Sequence, residues 1–222
     1  MTKIIIISIF AALFIPALLF YGQQSNAESM KLRDLSRLIE ESNTITSIEI
    51  ERRSTLKKIE DIITRYNASM KEAEREAIAS EILAMSCKYP NLNVDFICAT
   101  ITHESANTWN PQIASPVGAL GLMQIMPTTG AFLATEEGII WTSAEEILYD
   151  PIINIQLGCR YLSDLVGMYE KDGGLAAYNG GPARAEMWLT SNRNNNILFA
   201  ETRNYVPAVL KLYDEFRAQN QL

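Results

Sequence analysis

Glu104 closes an apolar helical pattern and opens onto a glycine-punctuated apolar loop, in the run ITHESANTWNPQIASPVGALGLMQIMP from Ile101 to Pro127. Asn93 offers an N-cap, and the residues from Val94 to Thr102 continue the pattern, so Glu104 ends the predicted helix. Ile97, Ile101 and Glu104 fall at i, i+4 and i+7, which puts the carboxylate on the face that the isoleucines bury. Burial disfavours its ionised form, and the negative end of the helix dipole does the same, so both raise its proton affinity. A carboxyl group that keeps a proton near neutral pH can act as a general acid. The competing reading is a rim glutamate that reaches out to water. Helix geometry alone leaves both open.

The adjoining loop favours the acid. Between Ser115 and Pro127 the chain reads SPVGALGLMQIMP: Pro116, Gly118 and Gly121 force turns, while Leu122, Met123, Ile125 and Met126 supply apolar surface. Gln124 is the polar side chain in that apolar run, and an amide with two donors and an acceptor suits sugar hydroxyls and N-acetyl groups. Methionine thioethers make an adaptable wall. A hydrophobic hairpin with one exposed glutamine would explain the apolar content but not its position beside Glu104.

Residue inventory sets other chemistries aside. The chain has one histidine, His103, so neither a HExxH zinc site nor a multi-histidine metal site can be built, and no cofactor is expected. No GxSxG elbow is present, and Ser105 has no base other than its neighbour. Adjacent helical residues point about 100° apart, so His103 reads as a rim residue rather than a partner of Glu104. Cys87, Cys98 and Cys159 form an odd set, and one disulfide with a leftover thiol stands against three free thiols.

The elements that must position Glu104 are mostly helical. A helix is expected around Ala77 to Cys87, Tyr89-Pro90-Asn91 turns the chain, and Pro127 with Thr128-Thr129 starts a short helix. Ser143 with Glu146 forms a capping box, Asp150-Pro151 opens the helix carrying Asn154 to Tyr169, and Asp172-Gly173-Gly174 ends it. The last helix is expected from about Asn204 to Gln219. Strand signal is confined to the 115–127 loop.

At 222 residues and 48% hydrophobic content the chain can bury one good core and still carry an accessory region. A net charge of −7 argues against nucleic acid as a partner. Ile4 to Tyr21 is almost unbroken apolar sequence after Lys3, and Ser25-Asn26-Ala27 offers small residues for a signal peptidase. Residues 1–27 are therefore either a signal peptide cleaved after Ala27 or a retained membrane anchor, and the chain from Glu28 onward is expected to be exported to the periplasm or cell envelope. From Glu28 to Glu76 the sequence is charge-rich, without Pro or Gly, and reads as a helical arm. Leu56, Ile59, Ile63, Tyr66 and Met70 recur at three- and four-residue steps in it. This seam is either a docking arm for an envelope protein partner or a helical hairpin packed on the domain that spans 77–222.

The motifs Glu104-Ser105, Asn110-Pro111 and SPVGALGLMQIMP together resemble the signature of the soluble lytic transglycosylase domain, a lysozyme-like fold. Later segments agree in order: Asn154-Ile155, Gly158 and Tyr161-Leu162 resemble its NI-x-x-G-x-x-YL helix. Ala177-Tyr178-Asn179-Gly180-Gly181-Pro182 resembles its AYN-small-GP segment, and Glu201-Thr202 with Tyr205-Val206 its ET-x-x-YV ending. The resemblance runs from about Ala77 to Leu212. It departs in two places, since the step from Glu104-Ser105 to Asn110-Pro111 is about two residues longer and Gly180 replaces the usual alanine, a mild change.

The resemblance implies a mainly α, lysozyme-like α+β catalytic domain with a small irregular or β loop region, preceded by the arm. It implies a peptidoglycan lytic transglycosylase that cleaves between N-acetylmuramic acid and N-acetylglucosamine and leaves 1,6-anhydro ends, with peptidoglycan glycan strands as partner. Glu104 corresponds to the acid that then acts as base, and Ser115, Gln124, Met126, Tyr178, Asn179, Glu201 and Tyr205 match substrate-binding positions. The alternatives are a lysozyme-type muramidase using water, and a non-catalytic cell-wall-binding assembly component.

Overall fold

Helix ends in this chain are fixed by short-range chemistry that the computed structural model displays directly; it describes residues 2–219, with side chains for residue 31 and residues 33–219. Asn93 accepts from the Phe96 amide at 3.0 Å and starts α3 (Val94–Glu104), the third of eight helices among the described residues. It comes after α1 (Thr2–Tyr66) and α2 (Glu72–Lys88). Pro127 takes the first position of α4 (Pro127–Glu136), where its missing N–H is harmless. Ser143 caps α5 (Ala144–Leu148) by accepting from Glu146 N at 3.1 Å. Asp150 caps α6 (Pro151–Gly180) through the amides of Ile152 and Ile153. The last two helices are α7 (Pro182–Thr190) and α8 (Ala200–Ala218).

The mainly helical expectation holds, and the strand signal of the 115–127 loop appears as two isolated bridges, Ala114 with Leu120 and Leu120 with Ile125. Two element boundaries differ from expectation. The break in α6 is at Glu170, whose φ of 62° lies in the left-handed region, and not at Asp172-Gly173-Gly174. Those glycines are buried inside the second segment because a Cβ would meet the side chains of Tyr169 and Leu189 at Gly173, and Val166 at Gly174. They permit close helix packing rather than a stop. The last helix begins at Ala200 rather than near Asn204, which brings Glu201 and Thr202 into its first turn.

The chain divides into two units, Met1–Arg53 and Ser54–Leu222. In the first, the described side chains of α1 are largely exposed, Leu35, Leu38, Ile39, Ile45, Ile48 and Ile50 among them. Arg37 with Glu41 and Arg53 with Glu49 form i, i+4 ion pairs along it. Among the described residues no helix is long and apolar enough to cross a membrane, and the Ile4 to Tyr21 stretch lies outside the residues whose side chains are described.

In the second unit α3 is the central helix, with Phe96, Ile97, Cys98, Ala99 and Ile101 fully buried. α8 packs along it, and α6 meets α2, α7 and α8. Ile59, Ile63 and Met70 of the sequence seam, with Ile62, are buried in this core, and Leu56 and Tyr66 pack against it. The end of α1 is tied to the start of α3 by a 2.5 Å ion pair between Lys58 and Asp95, both nearly buried. Burial makes loss of either partner costly, because the other charge would be stranded away from water. Cys87, Cys98 and Cys159 are all free thiols.

Candidate active site

Glu104 is the last residue of α3, and its Oε1 accepts a 2.6 Å hydrogen bond from the hydroxyl of Tyr205 on α8. The contact depends on the register of α8: Glu201 and Tyr205 are four residues apart and share one face of the helix that lies along α3. Tyr205 is 2% exposed, whereas Glu104 as a whole residue is only partly buried.

Burial pushes the Glu104 carboxyl up to about 7; the Tyr205 hydrogen bond pulls it down, and the negative charge of Glu201 adds to the rise. A carboxyl group poised there exists in both forms at neutral pH. It can give a proton to a leaving oxygen and take one from an attacking hydroxyl. Burial, reinforced by the charge of Glu104, holds the phenols of Tyr205 and Tyr178 well above the usual range, so both remain O–H donors.

Tyr178 and Asn179 come from the end of α6. The Tyr178 hydroxyl donates to the Met123 carbonyl at 2.7 Å, and its ring lies 5.4 Å from that of Tyr161. Asn179 Oδ1 accepts from the Thr202 hydroxyl at 2.7 Å, while its Nδ2 donates to Glu201 Oε1 at 3.4 Å. Gly180 is not a mild departure here. A Cβ at that position would approach Thr202 Oγ1 to 2.8 Å, so the glycine makes room for the hydroxyl that holds Asn179.

The apolar loop is clamped from α6 by a buried amide. Asn154 accepts from Met123 N at 2.8 Å and donates to Leu120 O at 3.0 Å and Leu148 O at 2.8 Å. Gly121, with φ 78°, passes so close that a Cβ would meet the Asn154 Nδ2 and the Leu148 carbonyl, each at 2.2 Å. Gly158 serves the same approach on the other side, where a Cβ would stand 2.4 Å from Met123 Sδ. Asn154, Thr202 and Tyr161 are thus parts of the arrangement that residue chemistry alone did not single out. All three stand inside the family-like motifs, and that was the available signal.

The expected substrate positions do not all share one network. Gln124 sits at φ 48° with its Nε2 donating to Gly121 O at 2.9 Å and Ile113 O at 3.3 Å, so its nitrogen braces the loop and only its oxygen is left for a ligand. Ser115 closes the turn after it, its hydroxyl accepting from Ala119 N at 2.9 Å. Met126 is 41% exposed at the cap of α4. Among the described residues neither Ser115 nor Met126 is hydrogen-bonded to the group around Glu104, whereas Tyr178, Asn179, Glu201 and Tyr205 are linked to it by hydrogen bonds or by charge.

The longer step after Glu104 forms a tight turn. Ala106, Asn107 and Trp109 all have positive φ, at 51°, 61° and 47°, a conformation that costs each of them energy. Its anchors are internal: Ser105 Oγ accepts from Trp109 N at 3.0 Å, and the fully buried Trp109 indole donates to Thr102 Oγ1 at 3.0 Å. Ala106, Asn107 and Thr108 are left exposed. His103 is partly exposed, as a rim residue would be, and its ring lies 4.8 Å from that of Tyr205. Among the described residues no cluster of three or more His, Cys, Asp or Glu side chains could hold a metal ion.

A family model described as transglycosylase SLT domain matches residues 82–198, which carry both α3 and most of the loop and α6 features above. The soluble lytic murein transglycosylase of Escherichia coli strain K12 is 38% identical over 131 residues, covering 54% of this chain and 20% of that protein. Among solved structures, an inactive mutant of lytic transglycosylase Slt from Pseudomonas aeruginosa gives a TM-score of 0.56 at 30% identity, over 64% of this chain and 24% of that one. The 70 kDa soluble lytic transglycosylase from Escherichia coli gives 0.51 at 31% identity, over 71% and 24%. The chain thus spans about a fifth to a quarter of the length of these relatives.

Proposed function

The chain belongs to the transglycosylase SLT domain family, and from that premise we propose that it is a peptidoglycan lytic transglycosylase, cleaving the β-1,4 bond between N-acetylmuramic acid and N-acetylglucosamine without water. Glu104 gives its proton to the departing glycosidic oxygen. The resulting carboxylate takes a proton from the C6 hydroxyl of the muramoyl residue, whose oxygen closes on the anomeric carbon to form a 1,6-anhydro ring. One group serves both steps, and the observation that carries this reading is the Glu104 carboxyl held near pH 7 under the Tyr205 hydroxyl.

The phenol of Tyr205 orients the carboxyl and stabilises its anionic form between the two steps. Most glycosidases employ two carboxylates. Here Glu201 is engaged with Asn179, which supports an orienting role for both in the substrate cleft, with Tyr178, Gln124, Ser115 and Met126 as further walls. The murein named in the relative supports an envelope location, with residues 1–27 as signal peptide or anchor. Residues 28–76 serve as a helical arm toward an envelope protein partner, with the side chains of 33–48 exposed along it. N-terminal sequencing of the mature protein separates a start at Glu28 from an intact anchor.

The test of the acid is Glu104→Gln, which keeps shape and hydrogen bonding but has no transferable proton. Turnover of purified cell wall should fall about 10²–10⁴-fold with the fold intact. Near-normal lysis by this variant would remove Glu104 from the mechanism.

A further inference from the structure

His103 precedes Glu104 on α3, and a helical neighbour of an acid would ordinarily point elsewhere. The packing of α8 changes this. The imidazole stands edge-to-face against the Tyr205 ring, centroids 4.8 Å apart and planes at 82°, and the same tyrosine hydroxyl reaches Glu104 Oε1 at 2.6 Å. Two successive α3 side chains therefore hold one α8 tyrosine, His103 at its ring and Glu104 at its hydroxyl.

We propose that His103 is a positioning residue for the proposed reaction: its imidazole braces the Tyr205 ring so that the hydroxyl stays on Glu104. This role rests on Glu104 being the acid and base, but not on which nucleophile attacks afterwards. An O–H donor stabilises a carboxylate only while distance and direction are kept, and a tyrosine ring free to tilt loses both. The edge-to-face contact supplies that restraint from a group with no hydrogen-bonding claim on the hydroxyl itself.

The charged surroundings are compatible with a neutral imidazole in this role. Burial lowers the proton affinity of His103, and Glu201 on α8 opposes that. Glu104 adjoins it on α3, while Tyr178 of α6 stands on the Glu104 and Tyr205 side. A neutral ring leaves the protonated form of Glu104 undisturbed near neutral pH. A cationic ring would favour the carboxylate and weaken the acid.

A two-by-two cycle tests this, using His103→Leu, which keeps bulk while removing the aromatic edge, and Tyr205→Phe, which keeps the ring while removing the hydroxyl. The readouts are kcat, KM and the pH dependence of kcat/KM for wall lysis. His103→Leu alone should lower kcat by roughly 2- to 10-fold, the range an edge-to-face contact carries. KM should move less, and the limb assigned to Glu104 should shift upward as the Tyr205 bond loosens. In the Tyr205→Phe background the same change should leave that limb in place, because no hydroxyl remains to be positioned. His103→Phe, which restores a ring edge, should recover most of the loss.

An equal shift in both backgrounds, or no shift in either, would overturn the proposal. If wall digestion gives reducing ends instead of anhydro ends, the functional reading fails while the cycle remains interpretable, since a hydrolase would use the same carboxyl.

Discussion

Asn154 and Met123, 31 residues apart, are joined by a 2.8 Å hydrogen bond from the Met123 amide to the Asn154 side-chain oxygen. The other end of that side chain donates to Leu120 O and Leu148 O, so one buried amide on α6 ties the turn of the apolar loop to the end of α5. Met123 in turn offers its carbonyl to Tyr178, which connects the clamp to the neighbourhood of Glu104.

Replacing Asn154 with Ala strands the buried Met123 N–H and the Leu148 carbonyl, while Leu120 O keeps the Ile125 amide at 3.0 Å. The expected loss is roughly 2–5 kcal/mol, since each orphaned buried group carries a desolvation penalty. Urea denaturation measures it. A loss below about 1 kcal/mol would mean that the loop holds itself without the clamp.

Gly158→Ala and Gly118→Ala separate two reasons for a glycine. At Gly158 the added methyl group meets Met123 Sδ and Cβ, so overpacking should outweigh the helix propensity gained and cost about 1–3 kcal/mol. At Gly118 the space is open but φ is 91°, and the strain should cost about 1 kcal/mol. If Gly118→Ala proves the more damaging in thermal melts, the packing argument at Gly158 is wrong.

Glu104 also gives stability a dependence on pH. Its folded proton affinity lies near 7, above the ordinary carboxylate range, so between about 4.5 and 7 the native state holds a proton that the unfolded chain has released. Stability is undiminished below that window and falls as pH rises through it. Glu104→Gln should therefore be more stable than the wild type above pH 7, by on the order of 1–3 kcal/mol, and should lose that advantage near pH 4. Unfolding of both proteins across this range checks the sign, and a pH-independent difference contradicts the buried-acid description.

The thiols give a simpler check. Cys87 is exposed, while Cys98 and Cys159 are buried and pushed upward by burial. A thiol reagent should label Cys87 alone in the native protein and all three after unfolding. Absence of any labelling after unfolding at two of the three would point to a disulfide instead.

The features legible in the sequence were mostly local. Asn93, Ser143 and Asp150-Pro151 marked helix starts because a cap acts on amides two or three residues away. Gly173-Gly174 misled for a related reason: glycine ends helices and also lets them pack closely, and only the proximity of Leu189 and Val166 distinguishes the two. The seam from Leu56 to Met70 left an arm and a packed hairpin open because periodicity shows a buried face without showing what covers it. The contact of His103 with Tyr205 was not legible because the tyrosine belongs to α8 and α3 alone carries no sign of it. The Glu104–Tyr205 contact spans 101 residues and has no local signal, so only the ordered motifs pointed to it.

Thr202 shows the same limit more sharply. Nothing about a threonine in the first turn of a helix announces that it holds Asn179, and Gly180 reads as a small variation until the space beside Thr202 is seen.

The central claim is that Glu104 takes its second proton from the muramoyl C6 hydroxyl rather than from water. Mass analysis of the glycan fragments released from purified peptidoglycan tests it most directly, because an anhydro end is one water lighter than a reducing end. Anhydro ends are expected from the wild type, and no fragments above background from Glu104→Gln. Fragments carrying reducing ends would contradict the claim and identify a hydrolase built on the same fold.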